Sequence, residues 1–427
     1  MRVLVIGSGA REHALARRLT AEPDVSDIVS APGNAGISRI ARTVDIAVAD
    51  VDALLALADR EAVDFTIVGP ELPLSVGIAD RFASQNRLLF GPTASAARLE
   101  TSKAFAKAFM ARHRIPTGRF RTCESAEEAR AVVHAGEFGW PVVLKADGLA
   151  GGKGVVVAED RATADSAIAA VMSERRFGAS GDRLVIEECL TGPEVSFFAI
   201  SDGTNVLPIG TAQDHKRIFD EDLGPNTGGM GAFAPSPLID SALSALIVQS
   251  IVEPVIRGMA QEGHPFRGFL YAGLMLTRDG PRVIEFNVRL GDPEAQVILP
   301  LIDEPLLPLL VSAARGSLNR SSVRLGRDRL TGVVLASRGY PESSESGQPI
   351  DGIDEAEAIP GVVVYHAGTA TRDGHIVTAG GRVLTVVGRG SRFDEATARA
   401  YAGVMPIHFD GMQYRRDIGR KALKSEV

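Results

Sequence analysis

The chain contains 427 residues, of which 45% are hydrophobic and 23% are charged. This balance is typical of globular proteins and excludes wholesale disorder, and the length predicts about two to four domains. The formal net charge of −7, with no segment that concentrates Lys and Arg, argues against a nucleic-acid partner. Cys123 and Cys189 match no metal-binding spacing, so we expect reduced, apolar cysteines.

The sequence predicts neither secretion nor membrane insertion. Its first apolar run is short and passes directly into a glycine-rich turn, unlike a signal peptide. The most apolar stretch, residues 297–311, contains prolines and the acidic pair Asp303 and Glu304, which a membrane helix would not tolerate. We therefore expect a cytoplasmic protein with no membrane partner.

The first hundred residues alternate apolar strands with helices. The pattern predicts, in order, strand 2–6, helix 12–20, strand 28–30, helix 51–61 and strand 64–68. Glycine or proline follows each strand. This order predicts a Rossmann-like, doubly wound α/β domain whose ligand lies outside the carboxyl ends of the strands.

The turn after the first strand contains Gly7 and Gly9. A dinucleotide-binding fingerprint would need a third glycine at position 12 and an acidic residue about 20 residues later. Position 12 is Glu12, and the second strand ends at Ser30-Ala31-Pro32, so a dehydrogenase is a poor interpretation. Two readings remain open: the helix N-terminus could hold a single phosphate, or the turn could simply require glycine.

The middle of the chain predicts a small module inserted into a larger sheet. The predicted elements are helix 94–113, helix 126–134, strand 142–145, strand 155–158, helix 162–172, strand 184–188 and a hairpin at 270–277 and 282–287. A polar linker, a hairpin-like pair at 362–371 and 382–387, and a helix from Asp394 follow. The predicted domains are 1–102, 103–316 with a lid at about 117–195, linker 317–330, and 331–427.

A glycine-lysine loop joins two of these strands. It begins at Lys145 and contains Gly151, Gly152, Lys153 and Gly154. It is not a Walker loop, which would need glycine where Asp147 stands and Ser or Thr at position 154. A flexible loop that follows a strand lysine suits a lid over a triphosphate, although an exposed hairpin turn would look similar.

The motif at residues 283–289 overlaps the predicted strand 282–287 and, on a strand, places three polar side chains on one face. Glu285, Asn287 and Arg289 alternate with apolar residues. Carboxylate and amide oxygens are hard ligands that suit Mg²⁺ carrying substrate phosphates. An arginine beside them can hold a developing phosphoryl or acyl-phosphate oxyanion.

Two other motifs gain meaning from their position. Glu187 and Glu188 end a strand, and Glu194 follows shortly after. Without the other motifs, these acids would indicate only the edge of a sheet. Residues 213–217 (QDHKR) precede a glycine-rich loop at 224–231, which favours an anion-binding loop over a solvated one. The motifs occur in a fixed order along the chain: a strand lysine, a glycine-lysine loop, paired acids and a strand with ligands that suit Mg²⁺.

This order resembles the ATP-grasp superfamily and, in detail, the phosphoribosylamine–glycine ligase family. The most specific stretches are QDHKR, GPNTGGMG and FNVRLGDPE, and resembling stretches extend from residue 3 to residue 384. The sequence departs from the family at Ser8, Ala10 and Leu290, where Asn, Gly and Phe are usual, which leaves the geometry of the first turn open. The resemblance implies an α/β chain with an ATP-grasp fold, an N-terminal Rossmann-like domain, a small α+β lid and a C-terminal α+β domain.

The resemblance also implies residue roles. ATP would contact Lys103, Lys145, the loop Gly151, Gly152, Lys153 and Gly154, and Glu187, Glu188, Leu190 and Glu194. Glu285 and Asn287 would hold Mg²⁺ or Mn²⁺, and Arg289 and Asp214 would be catalytic. The substrates would lie among Gly9, Asn34, Glu71, Lys216 and Asn226.

The implied reaction is the ATP-dependent ligation of glycine to 5-phosphoribosylamine through glycyl phosphate, in purine biosynthesis. Two alternatives stay open: an ATP-grasp purine enzyme that activates formate or bicarbonate, and a nucleotide-sensing protein without turnover. We expect a monomer that acts on small molecules. The end of the sequence at Val427 favours a single-activity, bacterial-type enzyme.

Overall fold

The structure is a computed structural model and describes residues 1–149 and 154–425. The N-terminal unit contains strands β1 (Arg2–Gly7), β2 (Asp27–Pro32), β3 (Arg42–Thr43), β4 (Phe65–Val68) and β5 (Leu89–Phe90). They form a parallel sheet in the order β3-β2-β1-β4-β5. The predicted doubly wound domain is confirmed. The sequence missed β3 and β5, because strands of two residues show no periodicity.

Helices connect these strands and lead into the next unit. They are α1 (Ala10–Thr20), α2 (Val51–Arg60), α3 (Glu71–Ser75), α4 (Ile78–Ser84), α5 (Ala94–Thr101) and α6 (Lys103–Arg112). The prediction of one helix over 94–113 is wrong, because Ser102 has extended backbone angles and interrupts it. The Ser102 hydroxyl accepts a hydrogen bond from the Phe105 amide at 3.1 Å, so it caps α6, which begins at Lys103.

The lid is a small antiparallel sheet with helices against it. Its elements are β6 (Phe120–Cys123), α7 (Ala126–His134), β7 (Val142–Ala146), β8 (Val155–Ala158), α8 (Arg161–Ile168) and β9 (Leu184–Glu188). The strand order is β6-β9-β7-β8. We expected both cysteines to be small buried apolar residues. Cys123 is fully buried in the lid core with Leu144 and Ile186, whereas Cys189 is only partly buried and lines the cavity described below. β6 was not predicted, since its half-polar sequence lacks a clear pattern.

The largest sheet begins after the lid. Its region contains β10 (Glu194–Asp202), β11 (Val206–Asp214), β12 (Arg217–Phe219), β13 (Leu223–Asn226), β14 (Gly231–Ala234), α9 (Ser241–Ile247), α10 (Glu253–Gln261), β15 (Arg267–Thr277), β16 (Gly280–Asn287), α11 (Ala295–Ile298) and α12 (Leu307–Ala314). β15 and β16 form the predicted hairpin. β12 and β13 form a separate hairpin beside the sheet.

The C-terminal region continues the same sheet. It contains β17 (Arg329–Ala336), α13 (Ile353–Glu357), β18 (Val362–His366), β19 (Thr369–Arg372), β20 (His375–Thr378), β21 (Arg382–Gly390), α14 (Phe393–Val404) and α15 (Arg420–Ser425). β14 pairs with β17, which gives the eight-strand order β16-β15-β10-β11-β14-β17-β21-β18. The C-terminal region is therefore joined to the middle region through backbone hydrogen bonds. The domain boundaries given above stay predictions.

Among the described residues, one helical stretch is long and apolar enough to cross a membrane by length and composition. It is Ser241–Gln261, which runs through α9, a π turn at Val248–Val252, and α10. Ile247, Ile251 and Val255 are fully buried in a hydrophobic core that also contains Leu270 and Phe286 of the β15–β16 hairpin. One face of the stretch therefore packs against this core.

Candidate active site

A cavity of about 900 Å³ lies between the N-terminal sheet, the lid and the largest sheet. Most of the predicted site residues line it, namely Glu71, Lys103, Lys145, Gly154, Glu187, Glu188, Leu190, Glu194, Asp214, Lys216, Asn226, Glu285, Asn287 and Arg289. Gly151, Gly152 and Lys153 lie outside the described residues. Elements distant in sequence thus bring the predicted charged groups into one space.

One end of the cavity is rich in lysine. Lys103, at the start of α6, donates a hydrogen bond to the Gly148 carbonyl oxygen at 2.9 Å. Lys145, on β7, donates to the Ile284 carbonyl oxygen at 3.1 Å and forms an ion pair with Glu187. Burial opposes ionisation of Glu187, yet Lys145 and Lys107 hold its pKa below the usual range. This end therefore suits a polyanion.

Glu188 faces away from these lysines. Its side chain accepts hydrogen bonds from the backbone amide of Arg119 at 2.9 Å and from Arg119 Nε at 2.8 Å. Arg282, on β16, lies 3.5 Å from the same carboxylate. Glu188, at the end of the last lid strand, thus connects Arg119, just before the first lid strand, to Arg282 of the largest sheet.

The strand face predicted to bind a metal is formed by β16. Burial opposes ionisation of Glu285, but Lys216, Lys145 and Lys103 lower the pKa of its carboxyl group. Asn287, with its amide nitrogen directed at Glu100, donates to Glu100 Oε1 at 3.1 Å. Within residues 1–149 and 154–425, no group of three or more His, Cys, Asp or Glu side chains could hold a metal alone. Oxygen donors from a substrate would have to complete a metal site here.

Arg289 follows β16 and is held by two acids. Its Nε donates to Glu71 Oε2 at 3.2 Å, and its Nη2 lies 2.9 Å from Glu100 Oε1. Burial opposes the charged form, but these carboxylates raise the pKa of the guanidinium further. Burial raises the pKa of Glu100 to about 7 despite Arg289. The guanidinium is therefore fixed in place and permanently charged.

The other end of the cavity contains carboxylates that resist ionisation. Burial raises the pKa of Asp214 to about 8, with a further contribution from Glu294. Burial also raises the pKa of Glu294, whose Oε1 accepts a hydrogen bond from Ser196 at 3.1 Å. Lys216 forms an ion pair with Glu194 and lies 4.0 Å from Glu285. The two ends therefore differ in how readily their acids hold a proton.

Two predicted substrate residues do not line the cavity. The amide of Gly9, at the start of α1, donates to Glu12 Oε2 at 2.5 Å, so the protein supplies its own anion at this N-terminus. Glu12 also explains the neighbouring glycines, since a Cβ at Gly69 would lie 2.0 Å from Glu12 Oε1. Asn34 donates to the carbonyl oxygens of Ser8 at 2.8 Å and His366 at 2.7 Å. Its side chain thereby joins the N-terminal and C-terminal regions.

Sequence reasoning missed several cavity residues, namely Arg11, Glu100, Lys107, Asp292, Glu294 and Arg382. Lys107 had a signal, because it follows Lys103 by four residues and shares its helix face. Arg382, on β21, donates to the carbonyl oxygens of Gly228 at 2.6 Å and Asp292 at 2.5 Å. Nothing local in the sequence connects that arginine to the cavity.

Comparison with known proteins gives the family. Models of the phosphoribosylglycinamide synthetase N domain, ATP-grasp (A) domain and C domain match residues 1–100, 101–295 and 330–421. The chain belongs to the phosphoribosylglycinamide synthetase family. It is 49% identical to a phosphoribosylamine–glycine ligase of Xylella fastidiosa, across 100% of this chain and 99% of the relative. A Ralstonia nicotianae protein of the same name is 47% identical over 99% of this chain and all of the relative.

Solved structures agree with this membership. The crystal structure of a phosphoribosylamine–glycine ligase from Thermotoga maritima superposes with a TM-score of 0.84 at 35% identity. It covers 98% of this chain and 100% of that one. The biotin carboxylase domain of a Hydrogenobacter thermophilus 2-oxoglutarate carboxylase gives a TM-score of 0.74 at 17% identity, over 97% of this chain and 91% of that one. That likeness concerns the fold alone, which is the predicted ATP-grasp fold. The family is one of ATP-grasp ligases, so this member uses ATP and acts on small molecules.

Proposed function

We propose that this family member joins glycine to 5-phosphoribosylamine with ATP and releases glycinamide ribonucleotide, ADP and phosphate, a step of purine biosynthesis. The observation that carries the proposal is one continuous cavity of about 900 Å³ with a lysine-rich end, a carboxylate–amide strand and acids of raised pKa. Two chemical steps need two environments, and this cavity offers both.

In the first step, a glycine carboxylate oxygen attacks the γ-phosphorus of ATP, and the bond from that phosphorus to the ADP oxygen breaks. The product, glycyl phosphate, has a leaving group that free carboxylate lacks. Such phosphoryl transfer depends on positioning and on charge neutralisation. Lys103 and Lys145 would neutralise the phosphates, and Arg289, fixed by Glu71 and Glu100, would face the transferred group.

In the second step, the amine nitrogen of phosphoribosylamine attacks the carbonyl carbon of glycyl phosphate, and phosphate leaves. The attacking nitrogen must lose a proton. Asp214 is a suitable acceptor, because a group whose pKa lies near the working pH transfers protons most effectively. Glu294 would share this role as a neighbouring acid of raised pKa.

A divalent metal fits the strand face of β16. Glu285 and the amide oxygen of Asn287 would hold Mg²⁺ or Mn²⁺, with substrate phosphates as the remaining ligands. When bound, the ion would neutralise charge on the phosphates. The lowered pKa of Glu285 keeps its carboxylate ionised, which a metal ligand requires.

Other assignments follow the family resemblance. Glu187, Glu188 and Leu190 would lie at the adenine and Glu194 at the ribose, and all four line the cavity. Glu71, Lys216 and Asn226 also line it and would contact the substrates. A monomeric state, a cytoplasmic location and the absence of nucleic-acid and membrane partners stay predictions.

The test is ADP release by the full chain with Mg-ATP, glycine and freshly prepared phosphoribosylamine. We expect release only when both glycine and the amine are present, together with a product of the mass of glycinamide ribonucleotide. Release driven by formate or bicarbonate instead of glycine would assign another carboxylate substrate and overturn the proposal. Binding of ATP without release for any carboxylate would indicate a sensing protein.

A further inference from the structure

A buried polar network lies below the lysine-rich end of the cavity. Lys107, on α6, forms an ion pair with one oxygen of Glu187, and Lys145 forms an ion pair with the other. The three side chains are between 3% and 6% exposed. Lys107 also donates to the Thr117 hydroxyl at 2.8 Å. Sequence reasoning assigned Lys145 and Glu187 to ATP but gave Lys107 no role.

The network is anchored to consecutive carbonyl groups of β16. Thr117 donates to the Val283 carbonyl oxygen at 2.7 Å, and Lys145 donates to the Ile284 carbonyl oxygen at 3.1 Å. Thr117 precedes the first lid strand, while Glu187 and Lys145 lie on β9 and β7 of the lid. Lys107 therefore connects α6 and the entry of the lid to the carboxylate that also holds Lys145.

The charges show what Lys107 contributes. Burial lowers the pKa of Lys107 to about 8 although Glu187 opposes this, so Lys107 is charged at neutral pH. Two ammonium groups then share one carboxylate, so the buried network carries one net positive charge beside the cavity. If Lys107 were neutral, Glu187 and Lys145 would neutralise each other and that charge would be lost. Lys145 would also be drawn toward Glu187 alone, away from any ligand phosphate.

We propose that Lys107 is a positioning residue for ATP: by compensating Glu187, it leaves the charge of Lys145 available to the triphosphate. The inference rests on the proposed use of Lys145 as a phosphate ligand. It predicts that loss of Lys107 weakens the binding of the phosphates and leaves the binding of the nucleoside unchanged. Loss of a merely structural lysine would not discriminate between the two.

The test compares the dissociation constants of ATP and adenosine for variants of the full chain, measured by calorimetry. In Lys107→Met, we expect ATP to bind about 10- to 100-fold more weakly, the cost of one charge-assisted contact, while adenosine binding is unchanged. Arg112→Met removes an exposed cation from the end of the same helix, where Arg112 pairs with Glu262 at 2.9 Å, and should change neither constant.

Charge compensation makes a second, sharper prediction. Lys107→Met combined with Glu187→Gln restores one net positive charge, so the ratio of adenosine to ATP dissociation constants should return close to the wild-type ratio. Glu187→Gln alone should not lower that ratio. If Lys107 is only structural, Lys107→Met will weaken both ligands alike and the double variant will not recover, which would overturn the proposal.

Two measurements keep the test independent of folding and of the reaction. Thermal melts identify a variant that has lost its fold, and Thr117→Val then removes one partner of Lys107 with little change in shape. Thr117→Val should lower the same ratio to a smaller extent, and no change there would contradict the network. The ligation assay separates the two proposals. If the wild type binds ATP but shows no glycine-dependent turnover, the proposed function is overturned. The comparison of ATP and adenosine binding still tests the role of Lys107 in that case.

Discussion

The two ends of the cavity treat carboxyl groups in opposite ways. Toward the lysine-rich end, Glu187 is buried and Glu285 is half-buried, and burial opposes the ionisation of both. Their pKa values nevertheless stay below the usual range, because Lys145 and Lys107 lie beside Glu187 and because lysines, above all Lys216, act on Glu285. At the other end, burial raises the pKa values of Asp214 and Glu294, and neighbouring acids raise that of Asp214 further. One end therefore holds ionised carboxylates with lysines beside them, which can bind a cation and phosphates. The other holds Asp214, which can exchange a proton near its raised pKa of about 8.

The largest expected effect comes from the charged end. Glu285→Ala should abolish ATP turnover, because it removes an ionised oxygen ligand from the proposed metal site. The measurement is glycine-dependent ADP release at saturating Mg-ATP. Glu342→Ala, at an exposed acid of the C-terminal region, is the matched control and should retain full activity.

The thermal melt of the Glu285→Ala protein should remain close to that of the wild type, since the residue only partly packs into the structure. Full activity in this variant would remove Glu285 from the metal assignment. The proposed difference between the two ends of the cavity would then rest on Glu187 alone at the lysine-rich end.

Arg289→Lys tests whether the boundary between the ends needs a fixed guanidinium. Lysine keeps the charge but cannot reproduce the contacts to Glu71 and Glu100. We expect kcat to fall about 100- to 1,000-fold with a smaller change in the KM for ATP, because the arginine would act on the developing charge. The measurement is steady-state ADP release.

Arg278→Lys changes an arginine that is 93% exposed and should leave both kinetic parameters as they are. An Arg289→Lys protein with the wild-type kcat would show that charge alone, without the fork of the guanidinium, is sufficient at this position.

The acid-rich end should appear in the pH dependence of the second step. Asp214 must be deprotonated to accept a proton, and its pKa is raised to about 8, so the rate should rise as the pH increases through 8. Asp214→Asn should flatten that rise and lower the rate about 100-fold at its plateau. The measurement is kcat/KM for phosphoribosylamine between about pH 6 and about pH 9, a range that brackets the raised pKa of Asp214.

Hydroxylamine provides the control for this profile. It traps an acyl phosphate without the help of a base, so hydroxamate formation from glycine should be similar in the wild type and in Asp214→Asn. A pH profile that the substitution leaves unchanged would assign the proton transfer to another group, with Glu294 the next to test.

How far the sequence could lead depended on whether a feature is local. Alternation over residues 283–289 brought Glu285, Asn287 and Arg289 together, and all three line the cavity although β16 ends at Asn287. Glycine at strand ends identified the N-terminal domain. The break at Ser102 was missed, because helical periodicity continues across it. Lys107 and Glu187 are 80 residues apart, and Arg382 and Asp292 are 90 apart, so no local pattern could reveal those contacts. Pairings of this kind arise from tertiary packing and decide which charges in the cavity are compensated.

The smallest expected effect concerns Asn34, which lies outside the cavity lining. We predicted from the family resemblance that Asn34 contacts the substrates, whereas in the structure its amide joins Ser8 to His366 and accepts from the amides of Gly36 and Ile37 at 2.9 Å each. If these contacts are its main role, Asn34→Ala should lower the free energy of unfolding by about 1–3 kcal/mol, the cost of unpaired buried groups. The KM values for glycine and phosphoribosylamine should then stay unchanged.

Asn226→Ala, at a residue that does line the cavity, should instead raise a substrate KM without altering the melt. A raised KM in Asn34→Ala with an unchanged melt would instead indicate that Asn34 contacts a substrate, which is the role that the resemblance implies.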